Sequence, residues 1–169
     1  MDNLHPDDDD DALFSLDPLE VVERVLSAEN LVFDRTDDGE VAVTLSGDWR
    51  DYELWFAWRP EADCLQLYLA TELKAAKDGR AALHELMALI NPRVWLGHFE
   101  LWGEESEIIF RHALSLPEGE RPTPAQAASM IDAAMEAADR FYPAFNFLIQ
   151  GRTPKEAMDA CLFETVGEA

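Results

Sequence analysis

Apolar residues recur along this chain with two different periods, and the switches between them set an order of elements. Asp17-Pro18-Leu19-Glu20 reads as a helix start. Asp17 can accept from the first free N–H groups, Pro18 suits the first helical position, and Glu20 falls three residues after the cap. Leu19, Val22 and Leu26 then share one face, through about Glu29. Period two takes over in residues 31–36 and 40–46, which flank Asp37-Asp38-Gly39, a hairpin turn signal. A third strand is expected over 51–59, ended by Pro60. A fourth covers 64–73, with Leu65, Leu67, Leu69, Thr71 and Leu73 on one side. Helical spacing returns over 77–90 in Leu83, Leu86, Met87 and Ile90, and Asn91-Pro92 stops it. Two more alternating stretches, 94–102 and 107–114, join through 103–106. Thr123-Pro124-Ala125-Gln126 is a capping box that opens a long helix to about Gln150, and Gly151 suits its end. Thr153-Pro154-Lys155-Glu156 repeats the start signal for a short helix to about Leu162.

The predicted order is α-β-β-β-β-α-β-β-α-α. Hairpin-linked strands imply a mainly antiparallel sheet with flanking helices, an α+β fold rather than a doubly wound one. Residues 17–169 are expected to form a single domain.

Two features of this pattern bear on function. The strands carry aromatics on both sides, where a half-exposed antiparallel sheet reads apolar on one side only. The third strand sets Tyr52, Leu54, Phe56 and Trp58 against Glu53, Trp55, Ala57 and Arg59. The fifth sets Trp95, Gly97, Phe99 and Leu101 against Leu96, His98, Glu100 and Trp102. The sixth sets Ile108, Phe110, His112 and Leu114 against Ile109 and Arg111. Trp55, Arg59, Trp102, Ile109 and Arg111 thus form a candidate interaction surface, since aromatics and arginine are enriched where proteins meet. The competing explanation is a helix of the same chain covering that side. The second feature is the long helix. Ile131, Ala134, Ala138, Phe141, Phe145 and Leu148 keep a heptad seam, widened by Met130, Met135, Tyr142 and Ile149. Pro143 removes one backbone donor and predicts a kink. The seam serves either the chain's own sheet or a homodimer, and Phe141, Tyr142 and Phe145 join the candidate surface.

Charge narrows the partners. The chain has 169 residues with 35 Asp+Glu against 13 Lys+Arg, a net charge of -22. No basic stripe appears, which argues against nucleic acid, and the same sign argues against anionic lipid. Five consecutive aspartates, Asp7–Asp11, sit within residues 1–16, which are expected to be a disordered acidic tail. Two cysteines, Cys64 and Cys161, far apart in sequence, fit free thiols in a reducing compartment. No signal peptide or membrane span is visible, so a cytoplasmic place is expected.

Catalytic and cofactor motifs are missing from the pattern. The four histidines never take a metal spacing, and no glycine-rich phosphate loop occurs. Asp34 to Gly39 only faintly resembles a calcium loop, and Leu45 stands where the bidentate Glu belongs. No cofactor is expected. His98 and His112 could meet across the fifth and sixth strands, which keeps a hydrolase or metal enzyme as the least favoured reading. A small-ligand sensor is the other alternative, with a pocket between sheet and long helix lined by Phe141, Tyr142 and Phe145.

The stretches Asn91-Pro-Arg-Val-Trp-Leu-Gly-His-Phe-Glu-Leu-Trp102, Arg140-Phe-Tyr-Pro-Ala-Phe-Asn-Phe-Leu-Ile-Gln-Gly151, Thr153-Pro-Lys-Glu-Ala157 and Glu164-Thr-Val-Gly-Glu-Ala169 resemble the alphaproteobacterial branch of the YbjN family. The likeness spans residues 17–169. It implies a fold like that of type III secretion chaperones, often dimeric, in a family described as regulators of sensory transduction. It supplies no catalytic residues. The expectation is a non-catalytic protein-binding module, chaperone-like or a regulatory adaptor, acting as a homodimer on an unknown protein partner.

Overall fold

The computed structural model of the chain describes residues 17–164. The tail expected over residues 1–16 and the closing residues 165–169 lie outside them. The elements follow in the expected order: α1 (Pro18–Ala28), β1 (Phe33–Arg35), β2 (Val41–Ser46), β3 (Asp51–Arg59), β4 (Cys64–Lys74), α2 (Arg80–Ile90), β5 (His98–Trp102), β6 (Glu107–Ser115), α3 (Pro124–Ile149) and α4 (Pro154–Glu164). The strands form one antiparallel sheet of order β1-β2-β3-β4-β6-β5. β6 therefore lies inside, paired to β4, and β5 forms an edge.

Local chemistry starts the helices where the sequence marks them. The Asp17 carboxylate accepts the Leu19 N–H at 3.0 Å. At α3, Thr123 Oγ1 accepts from the Gln126 N–H at 3.1 Å while Gln126 Oε1 accepts from the Thr123 N–H at 2.8 Å. Thr153 and Glu156 repeat this exchange at α4. Each pair satisfies donors that a helix end leaves free.

One face of the sheet carries the core. Register aligns Val43 with Leu54, Leu54 with Leu69, Leu69 with Phe110 and Phe110 with Phe99, all buried. Leu19, Val22 and Leu26 of α1, Leu83, Leu86 and Ile90 of α2, and Ala157, Met158 and Cys161 of α4 join the same cluster. The heptad seam of α3 belongs there too. Ala134, Ala138, Phe141 and Phe145 are buried in it, with Ile131 and Leu148 packed at its margin. The seam thus serves the chain's own sheet.

α3 runs unbroken through Pro143. A proline has no N–H to give the carbonyl four residues back, here that of Asp139. The indole Nε1–H of Trp49 donates to that carbonyl at 2.8 Å, and the Asp139 carboxylate accepts the Asp48 N–H at 2.9 Å. The turn between β2 and β3 thereby supplies what the proline removes. Trp49→Phe keeps a ring but loses the donor. It is expected to cost about 1 kcal/mol, read as a lower urea midpoint at unchanged slope. An unmoved midpoint would mean that water serves the carbonyl equally well.

Two strands are shorter than the alternation predicts. β1 holds three residues, and β5 begins at His98 rather than at residue 94. After α2, Asn91–Arg93 adds one tight helical turn. The Asn91 carboxamide then accepts the Phe99 N–H at 2.8 Å and donates to the Phe99 carbonyl at 3.1 Å. Gly97 has φ +76, and a Cβ there would lie 2.4 Å from Phe110 Cζ and 2.6 Å from the Arg111 carbonyl oxygen. This left-handed step breaks the alternation. Trp95, expected beside Phe99 on the inner face, instead stands in a loop at 94% exposure, with Leu96 at 45%.

Candidate interaction face

Among the described residues no helix lies on the second face of the sheet, because the helices gather on the first. β3 contributes Trp55 and Ala57, β4 contributes Tyr68 and Ala70, β6 contributes Ile109 and Arg111, and β5 contributes His98, Glu100 and Trp102. The pairings Trp55↔Tyr68, Tyr68↔Arg111, Ala70↔Ile109, Glu100↔Ile109 and His98↔Arg111 place them all on one side.

Three rings converge there. Trp55, Tyr68 and Trp102 lie near-parallel, with centroids 5.3 Å apart for Trp55–Tyr68, 5.5 Å for Trp55–Trp102 and 5.8 Å for Tyr68–Trp102. Trp102 comes from the edge strand and reaches across β6. Beneath the rings Ala57 and Ile109 are fully buried, and with Tyr68 and Trp55 they form an apolar cluster separate from the core. Small alanines at 57 and 70 let large rings lie down over the sheet. Trp102 remains 50% exposed.

Charge frames the rings. The Arg111 guanidinium sits 5.7 Å from the Tyr68 ring centroid and pairs with Glu100 at 3.7 Å. Glu100 also meets His98 Nε2 at 3.1 Å. Arg59 pairs with Glu40 at 3.2 Å, and Lys74 pairs with Glu105. The Tyr68 hydroxyl bonds the Gln66 side chain. The arrangement is flat, aromatic and bordered by charges of both signs.

The residues expected at an interaction surface divide cleanly. Trp55, Arg59, Trp102, Ile109 and Arg111 share this face, Ile109 as buried floor rather than contact. Phe141 and Phe145 lie in the core instead, stacked edge-on against Phe99 with centroids 6.2 and 4.9 Å away. Tyr142 is half-buried against Tyr52, at 6.2 Å between centroids. The rings of Phe141 and Phe145 fill the space in which a ligand pocket was expected. Tyr68 was missed because the fourth strand was read by its leucine side. The same alternation places Tyr68, with Gln66 and Ala70, on the other.

His98 and His112 do not form a site. His98 stands opposite Arg111, so His112, one residue on, points to the inner face. Burial, then the charge of nearby His98, holds the His112 imidazole below its ordinary value and keeps it neutral. Among the described residues no group of three or more His, Cys, Asp or Glu is placed to hold a metal ion. No helix among them is long and apolar enough to cross a membrane.

The fold is similar to a crystal structure described as that of "YbjN, a putative transcription regulator from E. coli". The TM-score is 0.54 at 10% identity, over 80% of this chain and 93% of that one. It also matches the structure of the HopA1-SchA chaperone-effector complex, with TM-score 0.44 and 14% identity over 76% of this chain and 98% of that one. No curated protein matches the chain. The YbjN family, described as "Putative bacterial sensory transduction regulator", matches residues 18–147. That span opens with α1, takes in the whole sheet and closes near the end of α3, so the chain belongs to the YbjN family.

Proposed function

We propose that the chain is a non-catalytic protein-binding module, a chaperone-like or regulatory adaptor, and that it grips its partner with the aromatic face of the sheet. One observation carries this reading: Trp55, Tyr68 and Trp102 converge over a buried apolar floor on a face that no helix among the described residues covers. Rings held flat by their own packing lose little freedom on binding, and such anchors are the residues whose truncation costs most at interfaces. The charged border suits a polar rim. The family description, a regulator of sensory transduction, agrees with a protein that acts by binding. The thiol of Cys64, half-buried and outside any disulfide, suits a cytoplasmic setting.

Self-association belongs to the same proposal. With the α3 seam used internally, the aromatic face is, among the described residues, an apolar surface open to a second copy. Two protomers of net charge -22 repel, so salt strengthens their pairing. Light scattering is expected to give twice the 19.1 kDa protomer mass at high concentration and moderate salt. A monomer under those conditions removes the dimer.

Trp55→Ala and Trp102→Ala test the face itself. Each is expected to weaken capture of partners by about tenfold or more, since truncating an aromatic anchor costs about 2 kcal/mol. The unfolding midpoint of Trp102→Ala is expected to move little, because half of that ring is exposed. Partner capture unaffected by both substitutions would dismiss this face.

A further inference from the structure

The charges around the aromatic face point to the kind of partner it takes. Register extends the face beyond its rings. Glu53 is exposed two residues before Trp55 on the same side of β3, opposite Ala70. Glu107, half-buried, stands two residues before Ile109 on β6, opposite Trp102. Both carboxylates therefore border the Trp55 and Trp102 rings. The cations of the face already have acids beside them. Arg59 has Glu40, Arg111 has Glu100, and Lys74 has both Glu105 and Glu107. Glu53 adds to that balance and leaves the border negative, in a chain whose net charge is -22.

The rings attract the same sign of charge. Three near-parallel rings with centroids 5.3, 5.5 and 5.8 Å apart cannot form a column, whose outer members would stand at least about 7 Å apart at van der Waals separation. They are staggered side by side, and Trp102 keeps half of its surface open. The face of an indole is electron-rich and is the best aromatic site for a cation. The chain makes this contact once by itself, where the Arg111 guanidinium lies over Tyr68. A basic segment meets rings and carboxylates together, and the carboxylates hold its charge against the rings. An acidic segment meets repulsion.

We propose that the segment gripped by the aromatic face is a basic stretch of a partner protein. One of its arginines or lysines lies on the Trp102 indole, Glu53 and Glu107 answer its charge, and its apolar neighbours cover Trp55. This inference rests on the aromatic face as the binding surface and adds the chemistry of the partner. A second copy of the chain competes for the same rings. The basic segment displaces it at low salt, where two acidic protomers repel each other most.

Peptide titration of the full chain at low salt tests it, followed by the indole N–H resonances of Trp55 and Trp102. Three peptides of equal length alternate leucine with arginine, with citrulline or with glutamate. Citrulline keeps the shape of arginine without its charge. The arginine peptide is expected to move both resonances and to bind about tenfold more tightly than the citrulline peptide. About 0.5 M salt is expected to remove most of that advantage. Trp102→Leu keeps an apolar contact and is expected to weaken the arginine peptide about threefold to tenfold, with little effect on the citrulline peptide. Glu53→Gln with Glu107→Gln is expected to weaken the arginine peptide by about threefold and to leave the citrulline peptide unchanged. A citrulline or glutamate peptide that binds the two indoles as tightly as the arginine peptide overturns the basic partner and leaves the aromatic face in place. Arginine-peptide binding that spares both indoles and survives Trp102→Leu assigns the attraction to the acidic surface at large and overturns the site. Indole resonances that none of the three peptides moves overturn the basic partner and the aromatic face together.

Discussion

Phe145→Ala is expected to lower the unfolding free energy by about 3–5 kcal/mol and the midpoint temperature by on the order of 10 °C. Phe145 is fully buried, and its ring meets Phe99 edge-on at 4.9 Å between centroids. Phe99 in turn contacts Phe110 at 5.5 Å and Phe141 at 6.2 Å. Four rings from α3, β5 and β6 therefore share one volume. Deleting Phe145 leaves a cavity that the other three cannot close, because Phe99 at their centre is already held edge-on by Phe110 and Phe141. Burial loss and cavity add. The slope of a urea titration should stay constant, since the surface exposed on unfolding barely changes. Partner capture by the folded fraction should also be retained, because this ring never reaches the aromatic face. A Phe145→Ala chain as stable as its parent would mean that α3 does not pack on the sheet as described.

Gly97→Ala is the second large effect, about 3 kcal/mol of destabilisation. Part is conformational: φ +76 costs a residue with a Cβ about 1–2 kcal/mol. The rest is steric, as a methyl must displace the Phe110 ring tip and the Arg111 carbonyl, at about 1–3 kcal/mol. Gly79→Ala supplies the contrast. Gly79 has φ -85 and open space where a Cβ would stand, so alanine there is expected to be neutral or to stabilise by about 0.5 kcal/mol. Comparing the two chemical midpoints checks both. Gly97→Ala no less stable than Gly79→Ala would show that the loop before β5 can rearrange freely. The Trp95 surface would then have no fixed shape.

Much of the architecture is visible in the residues because the signals are local. Asp17, the Thr123–Gln126 pair and Thr153 act within four residues of themselves, and alternation in β2, β3, β4 and β6 acts residue by residue. The aromatic face is different. Trp55 and Trp102 announce themselves as aromatics among charges, but their meeting depends on strand order. Trp102 stands on the edge strand β5, and its ring meets Trp55 of β3 only by lying across β6 and β4. No spacing in the sequence carries that. Phe141 and Phe145 mislead for the opposite reason. A heptad seam says that a stripe is covered, not by what, and the covering surface here is the sheet of the same chain. Trp95 fails at a single atom: the Cβ that Gly97 lacks lets the backbone turn before the alternation expected from residue 94 can begin.

The hydrogen bonds between Asn91 and Phe99 reach beyond the loop they brace. A free sheet edge offers its backbone groups as a template on which foreign strands polymerise. β5 is such an edge, yet the outward groups of its second residue, Phe99, are taken by the Asn91 side chain, which mimics a neighbouring strand. β1, at the other edge, is only three residues long. Growth of sheet upon sheet is thus blunted on both sides. A visitor to this protein finds the backbone ladder of β5 already occupied at Phe99, and is recognised chiefly by its side chains.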